Sequence, residues 1–144
     1  MILLSIHPVL QSIAILLAYY TAYLGLPRTL SLHFGKRTRF DRRRHALFGT
    51  IALGAILGGI TGGVIVISHF LHGPILSGIH GKAAIAGLPL LLFGLVSGIF
   101  LYRSPRPRKL LPALHALNNL LVLLFTLFQG YTGVALYLFY LSKG

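Results

Sequence analysis

Residues 112–141 read PALHALNNLLVLLFTLFQGYTGVALYLFYL and hold no Asp, Glu, Lys or Arg. About 20 apolar residues in a helix suffice to cross the hydrocarbon core of a bilayer, so this stretch alone predicts a membrane-spanning helix. It is not evenly apolar. Steps of 4, 7, 11, 14 and 18 residues, which stay on one side of a helix, lead from His115 to Asn119, Val122, Thr126, Gln129 and Gly133. A polar stripe of this kind is costly against lipid tails. It therefore faces protein, and a spanning helix with a protein-facing side needs neighbours.

Three further apolar stretches, 6–26, 45–68 and 80–102, supply them. The expectation is an all-α integral membrane antiparallel four-helix bundle, with 1–144 forming a single transmembrane domain. Composition agrees: 56% of the residues are hydrophobic and 10% charged, against about 25% charged in soluble domains. The first stretch has no basic segment ahead of it and no small-residue cleavage site after it, so it reads as a retained helix and not a signal peptide.

The charge is sorted by connection. Residues 27–44 carry Arg28, Lys36, Arg37, Arg39, Arg42, Arg43 and Arg44, and residues 103–109 carry Arg103, Arg106, Arg108 and Lys109, while 70–79 carry neither Lys nor Arg. Lys143 stands alone near the C-terminus, and the prolines and the Gly73-Pro74 pair punctuate the turns. The positive-inside bias then places the two basic connections in the cytoplasm and both termini on the periplasmic or lumenal side of a bacterial inner or thylakoid-type membrane. A net charge of +12 arranged in two short clusters suits anionic lipid headgroups and not nucleic acid.

Function classes fall away quickly. Asp41 is the only acid and there is no Cys, which removes paired-carboxylate hydrolysis, carboxylate metal cages, acidic proton relays, thiolate sites and covalent haem attachment. Seven His remain. His7, His45, His80 and His115 each lie near the N-terminal end of one stretch, so alternating helix direction puts His7 with His80 at one face of the membrane and His45 with His115 at the other. The same-face walk from His7 meets Gln11, Ala14, Ala18, Thr21 and Gly25; from His45, Gly49, Ala52, Ile56, Gly59 and Gly63; from His80, Ala84, Gly87, Leu91, Gly94 and Gly98. Small residues of this kind serve close helix packing by themselves, but packing has no use for four paired imidazoles.

The expectation is two non-covalent b-type haems, each held by two His: His45 with His115, and His7 with His80. Gly59, Gly63 and Gly133 in one layer, and Gly25, Gly94 and Gly98 in the other, are expected to make room for a macrocycle. Asn118, Asn119 and Gln11 are placed to tune ligands by hydrogen bonding. Arg42, Arg43, Arg44 and Lys82 are candidates to neutralise haem carboxylates, with lipid headgroups as an equal explanation for the arginines. His69 and His72 stand as substitutes for His7 or His80 or as contacts for a quinone headgroup, and His33 reads as a solvated loop residue.

These residues resemble a family. Ligands on the first and third and on the second and fourth of four helices look like the cytochrome b561 group of di-haem membrane electron carriers. The stretches IHPVLQSIAILLAYYTAYLGL (6–26) and LHALNNLLVLLFTLFQGYTGVALY (114–137) are more closely similar to a four-helix family of unknown function common in cyanobacteria. The marks are His7-Pro8, His45, His80-Gly81, and the set His115, Gln129, Thr132 and Gly133. The resemblance implies electron transfer across the membrane, carried to the four His only. The basic loops match no ascorbate-binding pattern.

The expected partners are membrane lipids and a quinone or quinol, placed near Lys82, Gln129 and the histidines of that layer. A c-type cytochrome or the other subunits of a respiratory or photosynthetic complex are the further candidates, because the short loops leave no soluble catalytic domain. The alternative from another class is a haem-free scaffold or small transporter that uses His for protons or metals.

Overall fold

The computed structural model describes residues 2–70, 78–104 and 106–142, the side chains of 2–4, 67 and 70 excepted. The readings made for His72, Gly73-Pro74, Pro105 and Lys143 lie outside the described residues. The chain folds into α1 (Ile2–Phe34), α2 (Arg42–Ile65), α3 (Ile79–Arg103) and α4 (Leu110–Leu141), and one π-helical turn, Val66–Phe70, prolongs α2. All four are long and apolar enough to cross a membrane, with mean hydropathy from 1.6 to 2.3. Even α2, at 24 residues, spans about 36 Å against a hydrocarbon core of about 30 Å. The molecule is an all-α four-helix bundle of the integral membrane class.

The helix limits follow local chemistry. Asp41 caps α2 by accepting the Arg44 N–H at 3.0 Å, so the helix starts one turn before His45. At the far end of α1 the expected stop at Pro27 does not occur, and the helix runs on to Phe34. A proline removes its own N–H but leaves the following residues free to stay helical, and a membrane bundle tolerates the defect when neighbours compensate. The carbonyl that loses its helical donor is that of Tyr23, one turn back, while the Pro27 carbonyl accepts from the Thr38 hydroxyl at 2.6 Å and so ties the following loop to the helix. The stop is Gly35, whose φ of 65° reverses the chain and lets the Lys36 N–H reach the Leu30 carbonyl at 3.2 Å. Pro112 sits in the first turn of α4, where its missing N–H would have no helical partner anyway.

The helices pack in a ring, α1 on α2, α2 on α3, α3 on α4 and α4 on α1, so α1 and α3 face each other across one diagonal and α2 and α4 across the other. The packing is most extensive within the hairpins α1–α2 and α3–α4. Large apolar side chains point outward, as on Leu16, Val96, Leu110 and Tyr131, which suits a lipid surround. Inside, the core is a belt of Ala14, Ala18, Ala52, Leu53, Ile56, Leu91 and Val122. Among the described residues no large side chain is fully enclosed. Hydrogen bonds pin the belt between helices: Tyr19 donates to the Leu123 carbonyl at 2.9 Å, Gln11 to that of Ala55 at 3.2 Å, and Asn118 to that of Leu90 at 2.9 Å.

Candidate functional site

Above and below the belt the two diagonals carry the four imidazoles. His7 on α1 faces His80 on α3 with ring centroids 6.4 Å apart and planes at 86°. His45 on α2 faces His115 on α4 with centroids 6.3 Å apart and planes at 79°. Two imidazoles joined by a hydrogen bond of about 3 Å would hold their centroids at roughly 5.3 Å. The observed separations are wider than that by about 1 Å.

Each ring is seated in the same kind of notch on its hairpin partner. His45 places Nδ1 3.0 Å from the Thr21 carbonyl, and its ring lies over Gly25, where an added Cβ would come within 2.6 Å of Cε1. His7 is turned toward the Gly59 backbone and lies over Gly63, at 3.1 Å from such a Cβ. His80 sits beside Gln129 and Thr132 and over Gly133, at 3.0 Å. His115 sits beside Ser97 and over Gly98, at 3.1 Å. The glycines expected to make room for a macrocycle thus abut the imidazoles themselves at 25, 63, 98 and 133, while Gly94 faces Asn118 and Asn119 and Gly59 faces the Gln11 amide. At Gly25 a Cβ would collide with the ring and at the other three it would press on it, so these glycines let the imidazoles lie close against the neighbouring helix.

The notches also select a tautomer. A carbonyl can only accept, so Thr21 makes Nδ1 of His45 the protonated nitrogen. At His115 the acceptor is the Ser97 hydroxyl, 2.8 Å away, whose one proton is committed to the Phe93 carbonyl at 2.5 Å. At His80 the Thr132 hydroxyl stands 3.1 Å from Nδ1 and the Gln129 amide N–H donates to the same nitrogen at 3.1 Å, so there Nδ1 accepts. At His45 and His115, with the proton held on Nδ1, the lone pair of Nε2 is left to bind a metal.

The His45–His115 pair opens into a cavity of about 910 Å³ that runs to the basic end of the bundle. Its lining includes Gly25, Gly98, Asn119 and, at the mouth, Arg28, Arg42, Arg106 and Arg108. Arg42 donates to the Leu101 and Tyr102 carbonyls and rests over the Tyr102 ring. Arg108 donates to the Ser104 hydroxyl at 3.0 Å and lies over the Phe100 ring, its guanidinium carbon 4.7 Å from the centroid. Its Nη1 is buried and has no hydrogen-bond partner among the described residues.

Several expected site residues stand elsewhere. Arg44 does not line the cavity; it pairs with Asp41 at 3.3 Å on the exposed side of α2. Lys82 is exposed, and two residues of helix turn it to the side of α3 away from His80. Gln129 donates to the His80 carbonyl at 3.3 Å, so its amide belongs to the notch. Asn119 stays with His115, 2.8 Å from its carbonyl and 3.3 Å from both ring nitrogens. His69 is exposed on the π-helical turn, and His33 lies in the last turn of α1, exposed and at the edge of the cavity. Arg108 and Ser97 were not singled out in the sequence, and no signal there marks them, because their roles depend on the α3–α4 turn and on the helix register.

Among the described residues no three or more His, Cys, Asp or Glu converge, so no complete metal cage is built from side chains alone. Two opposed imidazoles suit a metal that brings its other donors with it. No family model matches the chain, and no curated protein or solved structure matches it.

Proposed function

We propose that the chain is a b-type cytochrome that carries electrons across the membrane, with one haem held by His45 and His115 and another by His7 and His80. The observation that carries this reading is the pair of centroid separations, 6.3 and 6.4 Å. A metal–imidazole bond of about 2.0 Å, with roughly 1.1 Å more from nitrogen to ring centre, places two opposed ligands about 6.2 Å apart. Haem supplies reversible one-electron chemistry at its iron.

The chain's own residues do the rest. At His45 and His115 the notch acceptors hold the Nδ1 protons and aim the rings; the glycines bring the imidazoles close to the helix backbone, and the belt of Ala, Leu, Ile and Val keeps water from the space between layers. Along α1 the notch carbonyl of Thr21 lies fourteen residues from His7, so the layers are about 21 Å apart along the helix axis. The buried Nη1 of Arg108 beside the larger cavity is the kind of unmet donor that an anionic edge of haem satisfies.

The basic end faces the cytoplasm in this reading, by the positive-inside bias. The electron partners are a bilayer quinone or a docked redox protein. The deciding experiment is the reduced-minus-oxidised absorption spectrum and haem count of the purified chain, for the wild type and for single alanine replacements of His7, His45, His80 and His115. Two haems per chain are expected, falling to one in each replacement. A colourless wild type, or any replacement that keeps both haems, refutes the proposal.

A further inference from the structure

The four arginines at the mouth of the larger cavity differ from the rest of the basic surface. Arg28, Arg42, Arg106 and Arg108 line a pocket that contains His45 and His115, whereas Arg44 is turned away and tied to Asp41. Arg108 is the most constrained. One nitrogen is held by Ser104, its plane lies on Phe100, and Nη1 is buried with no partner among the described residues. A buried, unpaired guanidinium nitrogen is costly, and the only acid of the chain, Asp41, is occupied elsewhere. No acceptor for it stands among the described residues, so the site is open to one brought by a ligand.

The cavity suggests where that acceptor belongs. From Leu110, the first residue of α4, to His115 the helix rises about 7.5 Å, so the imidazole layer and the cationic mouth are separated by a distance that one flat ligand can bridge. The occupant would present a metal to the two imidazoles and an anionic edge to the arginines.

We infer that Arg108, assisted by Arg28, Arg42 and Arg106, forms a carboxylate clamp that serves the His45–His115 layer alone and makes the two redox centres unequal. This rests on the haem reading given above. No equivalent cluster is available to the other layer among the described residues, where Lys82 is the one Lys or Arg of the α3 start and is exposed. Adding one electron adds one negative charge, and fixed positive charge near a centre favours that form. The clamped centre therefore has the higher reduction potential, and electrons run downhill from the His7–His80 layer to the His45–His115 layer, toward the basic end.

The test is a redox titration of the full-length chain in lipid nanodiscs, followed by absorption with mediator dyes, on the wild type, Arg108→Gln, Arg108→Lys and His7→Ala. The wild type should titrate in two components, and the component retained in His7→Ala should be the higher. Arg108→Gln should lower that component alone by about tenfold or more in the oxidised-to-reduced ratio at fixed potential, about 59 mV for one electron, and Arg108→Lys should restore most of it. Equal shifts in both components, or no shift, would overturn the clamp, as would a lower potential for the component retained in His7→Ala. An unchanged titration with loss of bound anionic phospholipid would overturn it in favour of a lipid headgroup at Arg108. A wild type without haem sinks the underlying reading and is seen before any arginine is changed, whereas a haem-bearing protein with symmetric responses sinks the clamp only.

Discussion

Replacing Gly25 by alanine tests the notch geometry directly. The new Cβ would stand 2.6 Å from His45 Cε1 and 3.0 Å from Nδ1, where carbon atoms prefer about 3.5–4.0 Å. The ring must retreat by about 1 Å, and the helices of this hairpin are the most closely packed pair, so they yield little. Overpacking of this type costs about 1–3 kcal/mol. The retreat also breaks the contact from Nδ1 to the Thr21 carbonyl, now 3.0 Å, worth about 1 kcal/mol. The total, about 2–4 kcal/mol, corresponds to a melting temperature roughly 5–15 °C lower for a chain of this size. Gly58→Ala is the matched control, since a Cβ there meets nothing and alanine favours the helix by about 1 kcal/mol. Thermal unfolding in detergent by far-ultraviolet circular dichroism, with the haem count beside it, reads both effects. Wild-type melting and two haems in Gly25→Ala would show that the ring does not rest on Gly25, and the notch argument would fall at all four positions.

Other substitutions probe separate features. Ser97→Ala removes the acceptor for His115 Nδ1 and should cost about 1–3 kcal/mol, seen in the same melts, with Ser97→Thr restoring most of it. Asp41→Ala should destabilise by about 1 kcal/mol through the lost cap, whereas Asp41→Asn, still able to cap, should melt like the wild type. Tyr19→Phe removes the α1–α4 bond to Leu123 and should cost about 0.6 kcal/mol. Alkaline phosphatase fused after residue 144 should be active and a fused green fluorescent protein dark, as expected of a C-terminus outside the cytoplasm; the reverse pattern would invert the orientation.

Much of the interior could be read in advance, because one period governs a straight helix. The walks from the four histidines meet Ala14, Ala18, Thr21, Ala52, Ile56, Gly87, Leu91, Gly94, Val122 and Thr126, all of which are buried. The diagonal pairing of His7 with His80 and His45 with His115 follows from helix direction alone. What the sequence hides is contact between elements. Arg44 and Arg108 are equivalent as basic residues near a histidine, and only the Asp41 cap and the α3–α4 turn decide that one faces out and the other in. Pro27 looks like a stop and is not one, because a proline costs the helix a single N–H and leaves the residues after it free to stay helical. The glycines were legible as small, but that their use is to let an imidazole lie close against the neighbouring helix depends on rotamers and interhelical distance.

The seating of the rings has a consequence for assembly. His7 and His45 dock into each other's helices, as do His80 and His115, yet each facing couple takes one member from either half of the molecule. A two-helix fragment would thus carry prearranged half-sites for both layers and a finished site for neither. Coexpressed as separate polypeptides cut between α2 and α3, the halves would acquire colour only on meeting, and would acquire both centres together.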